Sequence, residues 1–358
     1  CHADHNAEWS DDWVRKWYKR DYQAEVLRRA ELIDAARKGR WDRLPEMLAE
    51  IGQSDNDQVY RNSLVRLVRQ SSDPRKWAAM LGAVKDQSPL VRSSAASALG
   101  GRIDKESIES LFACAGDGSR IVRIRAAMAL AAIPPEKIEN PARREALERA
   151  VDEFKTAMKA RGDDWASHAN LGDFYIERGD FAEAVKNYEN ALRLEPRMIE
   201  VLMNESVAYS NMRQNHKAEQ CLRRALETEP DNAAANFNLG LLLAEEGNAD
   251  EAEQALRRAV KSNSQSAAAN YNLAVILAGR KHMSEAIALC RKACELQPDE
   301  AKYARALALY LYRNGDAEGA IEVLRKALDI KELAPQERQD LEEKLRSLEI
   351  AKPGKKTQ

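Results

Sequence analysis

The chain has 358 residues, enough for a sizeable core; 32% are charged, yet the formal net charge is only −2. That balance argues against a binder of nucleic acid or another polyanion, which carries a basic excess. Aromatic residues are sparse at 6% and no run of about 18 apolar residues occurs, so the sequence predicts packed helices rather than sheets and no transmembrane span.

Residues 1–20 differ from the rest. Cys1, His2 and His5 cluster, and Trp9, Trp13 and Trp17 follow at i, i+4 and i+8. That spacing puts three indoles on one helix face. The face is expected to anchor against the next helices; the alternative is an apolar wall beside a cofactor. The chain opens on cysteine with neither a start methionine nor a secretory signal, which suggests a processed product or part of something longer. Residues 22–38 then read as a helix with Val26, Leu27, Ala30, Leu32, Ile33 and Ala36 inward, ending near Gly39.

A repeat of 31 residues follows. Asp57, Ser88 and Ser119 recur at that interval, each a good helix N-cap, and Pro89 suits a first helical position. Asp55, Asp86 and Asp117 precede them, while Arg61, Arg92 and Arg123 lie just inside the helices. The runs Asp86-Gln-Ser-Pro-Leu-Val-Arg and Asp117-Gly-Ser-Arg-Ile-Val-Arg resemble short HEAT-like repeats. The resemblance implies that the aspartates and arginines link neighbouring repeats and are structural. Pro134-Pro135 ends the last helix. A junction helix over about 141–160 reads as the second half of a degenerate unit, since Ala150, Phe154 and Ala157 sit 34 residues before Ala184, Tyr188 and Ala191.

From residue 165 the period is 34, the mark of a solenoid of stacked helix pairs. Small residues Gly172, Ser206, Gly240, Ala274 and Ala308 are expected where two helices of a pair cross, opposite the series Ala184, Ala218, Ala252, Ala286 and Ala320. Tyr188, Leu222, Leu256, Cys290 and Leu324 are expected to fill the space between units. Gly179, Gly247 and Gly315 suit the C-cap of each first helix. The five units, 165–198 to 301–334, resemble tetratricopeptide repeats, with departures at Glu205 in place of leucine and at Ser264 and Glu332 in place of proline. A polar capping helix follows from Pro335, with Leu341, Leu345 and Leu348 inward, and the last residues are expected to be disordered.

Asn170, Asn204, Asn238 and Asn272 repeat every 34 residues on the first helices, a row broken at Ala306. The tetratricopeptide resemblance implies that first helices line a concave surface. An amide offers donor and acceptor, so such a row suits the backbone of an extended peptide whatever its sequence. The row resembles the asparagine ladder in the repeats of some glycosyltransferases. Met203, Phe237 and Tyr271 read either as apolar pockets beside it or as core.

Cys114, Cys221, Cys290 and Cys294 read as buried thiols on apolar helix positions. Cys1-His2 has the form of the end of a Cys-x-x-Cys-His haem motif. With Ala7-Glu8-Trp9 after it and the same order of repeats, the chain resembles the C-terminal part of bacterial multihaem cytochrome c proteins. That resemblance implies haem c held by Cys1, His2 as an axial iron ligand, redox partner proteins, and a periplasmic or extracellular location. The alternative is a non-redox periplasmic assembly scaffold anchored as a lipoprotein through Cys1. No phosphate loop, nucleophile elbow or zinc signature appears, so no catalytic role is assigned; any oxidoreductase activity belongs to a haem region outside this sequence.

The expected fold is therefore all-α, an α-solenoid. Its parts are residues 1–20 (tail of a haem region), 21–135 (HEAT-like), 136–164 (junction), 165–334 (five tetratricopeptide repeats) and 335–358 (cap and tail). The expected function is a protein-interaction scaffold with a groove for a peptide or protein, forming part of an electron-transfer cytochrome.

Overall fold

The computed structural model describes residues 6–18, 24–102, 104–330 and 333–351. Among these every regular element is a helix, and none is long and apolar enough to cross a membrane. The helices fall into two units, Cys1–Asp180 and Phe181–Gln358. The division falls in the turn between the helices Trp165–Glu177 and Phe181–Leu194.

The first unit opens with α1 (Ala7–Trp17), capped by the Asn6 side chain, which accepts from Trp9 N at 2.9 Å. Its indoles meet edge-on and tilted, with centroids 6.1 Å and 6.2 Å apart. They do not form the expected buried anchor: Trp13 and Trp17 are exposed, Trp17 by 70%. In α2 (Ala24–Arg37) the buried stripe is Leu32, Ala35 and Ala36; Val26, Leu27 and Ala30, expected inward, are exposed because they lie on other sides of the helix.

Three helix pairs follow: α3 (Leu44–Gly52) with α4 (Gln58–Val68), α5 (Lys76–Ala83) with α6 (Pro89–Leu99), and α7 (Lys105–Ala115) with α8 (Arg120–Ala129). Then come α9 (Pro141–Lys159) and α10 (Trp165–Glu177). The second helices form a row α2, α4, α6, α8, α9, packed more closely on one another than the row α3, α5, α7, α9. They therefore line the inner side of this stack.

The expected aspartate–arginine links are present. Arg61 pairs with Asp86, and the fork of Arg92 meets both Asp117 oxygens at 2.8 and 2.9 Å. Arg123 meets Glu153 of α9 in the same way, at 2.8 Å twice. Each arginine also donates to carbonyls of the loop before its own helix, as Arg92 does to Asp86 O at 2.8 Å. Among the described residues Asp55 has no such link; Glu50, buried on α3, takes Arg28 instead. The N-cap expectation needs one correction. Asp57 caps α4 with its own side chain, but the hydroxyls of Ser88 and Ser119 do not cap. The carboxylates of Asp86 and Asp117, two residues earlier, accept those serines' amides at 2.8 and 2.7 Å. Ser88 donates its hydroxyl to Gln58.

The second unit is a run of antiparallel helices: α11 (Phe181–Leu194), α12 (Ile199–Asn211), α13 (Asn215–Thr228), α14 (Ala233–Glu245), α15 (Ala249–Ser262), α16 (Ala267–Gly279), α17 (Met283–Leu296), α18 (Ala301–Arg313), α19 (Ala317–Leu328) and α20 (Pro335–Ala351). Small residues sit at the crossings as expected. At Gly240 a methyl would come within 2.6 Å of Leu256 Cγ. Leu256 thus packs across its own pair, not only between units. The turn after each first helix needs a left-handed residue. Gly247 and Gly315 supply it, as Gly179 does at the end of the first unit, and Arg213 and Lys281 adopt the same conformation without being glycine, with φ of 57° and 67°. Second helices are tied outward by repeating ion pairs, Arg223 to Glu251 at 2.6 Å and Arg257 to Glu285 at 2.5 and 2.8 Å. Being exposed, these pairs contribute little to stability. Leu341 of α20 is buried and Leu345 and Leu348 are partly so, closing the last pair as expected.

Candidate peptide groove

Within the second unit α14 packs on α16 as well as on its own partner, so first helices crowd towards one side, the inner face. Asn204 (α12), Asn238 (α14) and Asn272 (α16) occupy one repeat position on these helices. Asn204 is exposed and the other two are half-buried. Asn272 donates one amide hydrogen to Ala268 O at 2.9 Å, one turn earlier in its own helix. Its second hydrogen and its oxygen remain for a ligand. Asn238 makes no side-chain hydrogen bond among the described residues. Asn170 lies on α10 in the first unit, half-buried and bonded to Ala166 O at 2.7 Å. The row is thus seen as three residues in one unit and a fourth described separately.

Three positions beyond Asn204, Asn238 and Asn272, on the same helix face, stands an aliphatic residue that sequence reasoning missed. Val207, Leu241 and Val275 are all exposed, and Leu309 continues the series past Ala306. Met203, Phe237 and Tyr271 are instead partly buried against the core, the second of their two expected readings. The inner face therefore carries an amide row beside an apolar row.

A second asparagine pair has a different role. Asn236 and Asn270, almost fully buried, donate to the carbonyl six residues back: Asn236 to Pro230 O at 2.9 Å and Asn270 to Ser264 O at 3.1 Å. In the first unit, His168 holds Gly162 O at 3.0 Å from the corresponding repeat position. These side chains fasten the loops that enter α10, α14 and α16. The 34-residue spacing of Asn236 and Asn270 was the available signal.

Glu205, adjacent to Asn204, is 3% exposed. Burial raises its carboxyl above the ordinary range, opposed by the Cys221 thiol, which donates to Oε2 at 3.1 Å. Burial likewise pushes the Cys221 thiol up, with Glu205 adding to the effect. Cys114, Cys221 and Cys290 are buried free thiols and Cys294 is half-buried. Cys1 and His2, the expected haem residues, and His5 lie outside the described residues.

Comparison with known families recognises the repeats. Residues 165–198, and 203–267, 244–301 and 295–337, match the tetratricopeptide repeat. Residues 78–157 match HEAT repeats. The solenoid is built of these two repeats. Curated relatives include the photosystem I assembly protein Ycf3 of Synechococcus sp. (strain CC9605), 37% identical over 78 residues, which are 19% of this chain and 45% of that protein. The same protein of Prochlorococcus marinus is 35% identical over 74 residues, 20% of this chain and 43% of that protein. The chain thus spans less than half the length of the curated relatives it matches. Among solved structures, MamA is 23% identical with a TM-score of 0.42, covering 49% of this chain and 97% of MamA. YrrB, titled a TPR protein with an unusual peptide-binding site, is 20% identical with a TM-score of 0.45, covering 53% of this chain and 97% of YrrB.

Proposed function

We propose that this protein is an interaction scaffold whose second unit holds an extended peptide segment of a partner along α12, α14, α16 and α18. The observation that carries the reading is the paired rows: Asn204, Asn238 and Asn272 beside exposed Val207, Leu241, Val275 and Leu309. Aliphatic side chains left in water at every repeat are a cost that a bound peptide would relieve. Helices packed about 10 Å apart set successive amides roughly three residues of extended chain apart. The amides then meet the backbone and the aliphatic row meets side chains. The relatives' printed name, an assembly protein, suits a scaffold of this kind. The test selects binding peptides from a random display library with the full chain. Replacing Asn204, Asn238 and Asn272 together by alanine weakens the selected peptides at least tenfold with helicity unchanged; unaltered binding refutes the reading.

A second proposal rests on the sequence at the other end. Cys1-His2 followed by Ala7-Glu8-Trp9 supports covalent haem c on Cys1 with His2 as iron ligand, in a periplasmic or extracellular electron-transfer protein. The indole face of α1, left exposed at Trp13 and Trp17, supports an apolar neighbour there. A pyridine haemochrome spectrum of the protein from its native host tests this. A haem band is expected; lipid mass on Cys1 without it favours the lipoprotein alternative.

A further inference from the structure

The inner side of the first unit carries a groove of about 960 Å³ along α2, α4, α6 and α8. Its rows follow the 31-residue period. Val59, Leu90 and Ile121 form one row, all three exposed. Four residues further on stand Ser63, Ser94 and Arg125, and beyond these Arg66 and Ser97. Arg37 and Arg69 complete the lining of basic residues.

The arginines set this groove apart. Elsewhere in the first unit arginines are mostly committed to carboxylates, as Arg61, Arg92, Arg102 and Arg123 are. Arg37, Arg66, Arg69 and Arg125 form no side-chain hydrogen bond or ion pair among the described residues, and all four line the groove. Its single carboxylate, Asp57, caps α4, with Oδ1 accepting from the amides of Val59 and Tyr60 at 2.8 and 3.0 Å. The groove therefore carries four guanidinium charges against the one carboxylate. A concave surface lined predominantly by one sign of charge concentrates its field. The guanidinium fork matches a carboxylate with two parallel hydrogen bonds. The serine hydroxyls donate inward, Ser63 to Val59 O at 2.8 Å and Ser94 to Asn62 Oδ1 at 2.5 Å, so their lone pairs are left to accept peptide N–H groups.

We propose that this groove is a second docking site, for an acidic peptide segment with aliphatic side chains among its carboxylates. The arginines take the carboxylates and the row Val59, Leu90 and Ile121 takes the aliphatic groups. A nucleic acid would satisfy the arginines but not the rest. The one aromatic ring in the lining, Tyr60, is covered by the Arg29 guanidinium 5.2 Å from its centroid, so bases have no open ring to stack on. The site is independent of the asparagine row and of the peptide proposed there.

The experiment uses the full chain and fluorescence anisotropy of a labelled peptide of alternating glutamate and leucine blocks. Controls are the same peptide with lysine for glutamate and an oligothymidylate. The acidic peptide is expected to bind, and to bind several-fold more weakly as salt rises from about 50 to about 300 mM. Arg66→Glu with Arg125→Glu is expected to weaken it at least tenfold while the thermal melt is unchanged, since both side chains are exposed. A neutral variant, Arg66→Gln with Arg125→Gln, gives a smaller loss and guards against misfolding of the first. The triple asparagine variant is expected to bind this peptide like the parent, so failure here and failure of the asparagine groove are distinguishable. Equal binding of the lysine peptide, no loss in either arginine variant, or tighter binding of the oligothymidylate would each overturn the proposal.

Discussion

Replacing Glu205 by leucine is expected to stabilise the second unit, and by an amount that depends on pH. Glu205 occupies the position filled by Leu239, Leu273 and Leu307 in the following repeats, all buried. The substitution restores the apolar residue at a site already shaped for it. Burying a leucine side chain is worth about 1.5–3 kcal/mol, and removing a buried carboxyl adds to this, less the weak Cys221 hydrogen bond. A gain of about 2–4 kcal/mol at pH 7 follows. Burial raises the native pKa of Glu205 above its ordinary 4.5. The native state therefore holds its proton more tightly than the unfolded chain. The stability this provides is complete below pH 4.5 and lost as pH rises through the raised native pKa. The advantage of Glu205→Leu should accordingly be smallest near pH 4 and grow by about 1.4 kcal/mol for each pKa unit of the shift before levelling. Urea unfolding followed by circular dichroism between pH 4 and 8 measures it. All six tryptophans lie in residues 1–165, so indole emission reports the first unit and separates its transition. A pH-independent difference, or a less stable leucine variant, would refute the argument.

Other substitutions test the scaffold. Arg61 is 2% exposed and paired with Asp86, so Arg61→Ala strands a partner and should cost about 3–5 kcal/mol, read by indole emission in urea. Lys281→Gly removes a left-handed non-glycine residue and should raise the stability of the second unit by about 1 kcal/mol in the same titration followed by circular dichroism. Asn236→Ala loses its bonds to Pro230 O and Asn232 O; a cost of about 1–3 kcal/mol and faster amide exchange at the entry to α14 are expected.

The repeat periods made the all-helical solenoid legible, because a residue type returning every 31 or 34 positions must meet the same neighbours each time. The HEAT-like resemblance of the repeated runs implied the Asp86–Arg61 and Asp117–Arg92 links, and the structure has them. It did not tell which way a repeating apolar residue faces. Met203 and Val207 both belong to such series, yet only Val207 points into solvent, because facing is set by where the partner helix lies. Nor did composition reveal the turn geometry at Arg213 and Lys281, which neighbouring helices impose against local preference. The four groove arginines were invisible for a related reason: in a chain of balanced charge, their significance is that they pair with no carboxylate among the described residues, a property of the fold. At the N-terminus, Cys1 and His2 fall outside the described residues, so their reading stays with the sequence.

The most direct test of the peptide groove is a nuclear magnetic resonance titration of the labelled chain with a display-selected peptide. The side-chain amide signals of Asn204, Asn238 and Asn272 should shift together with the methyl signals of Val207, Leu241, Val275 and Leu309. Shifts confined to α13, α15 and α17, with those amides and methyls unmoved, would contradict the account.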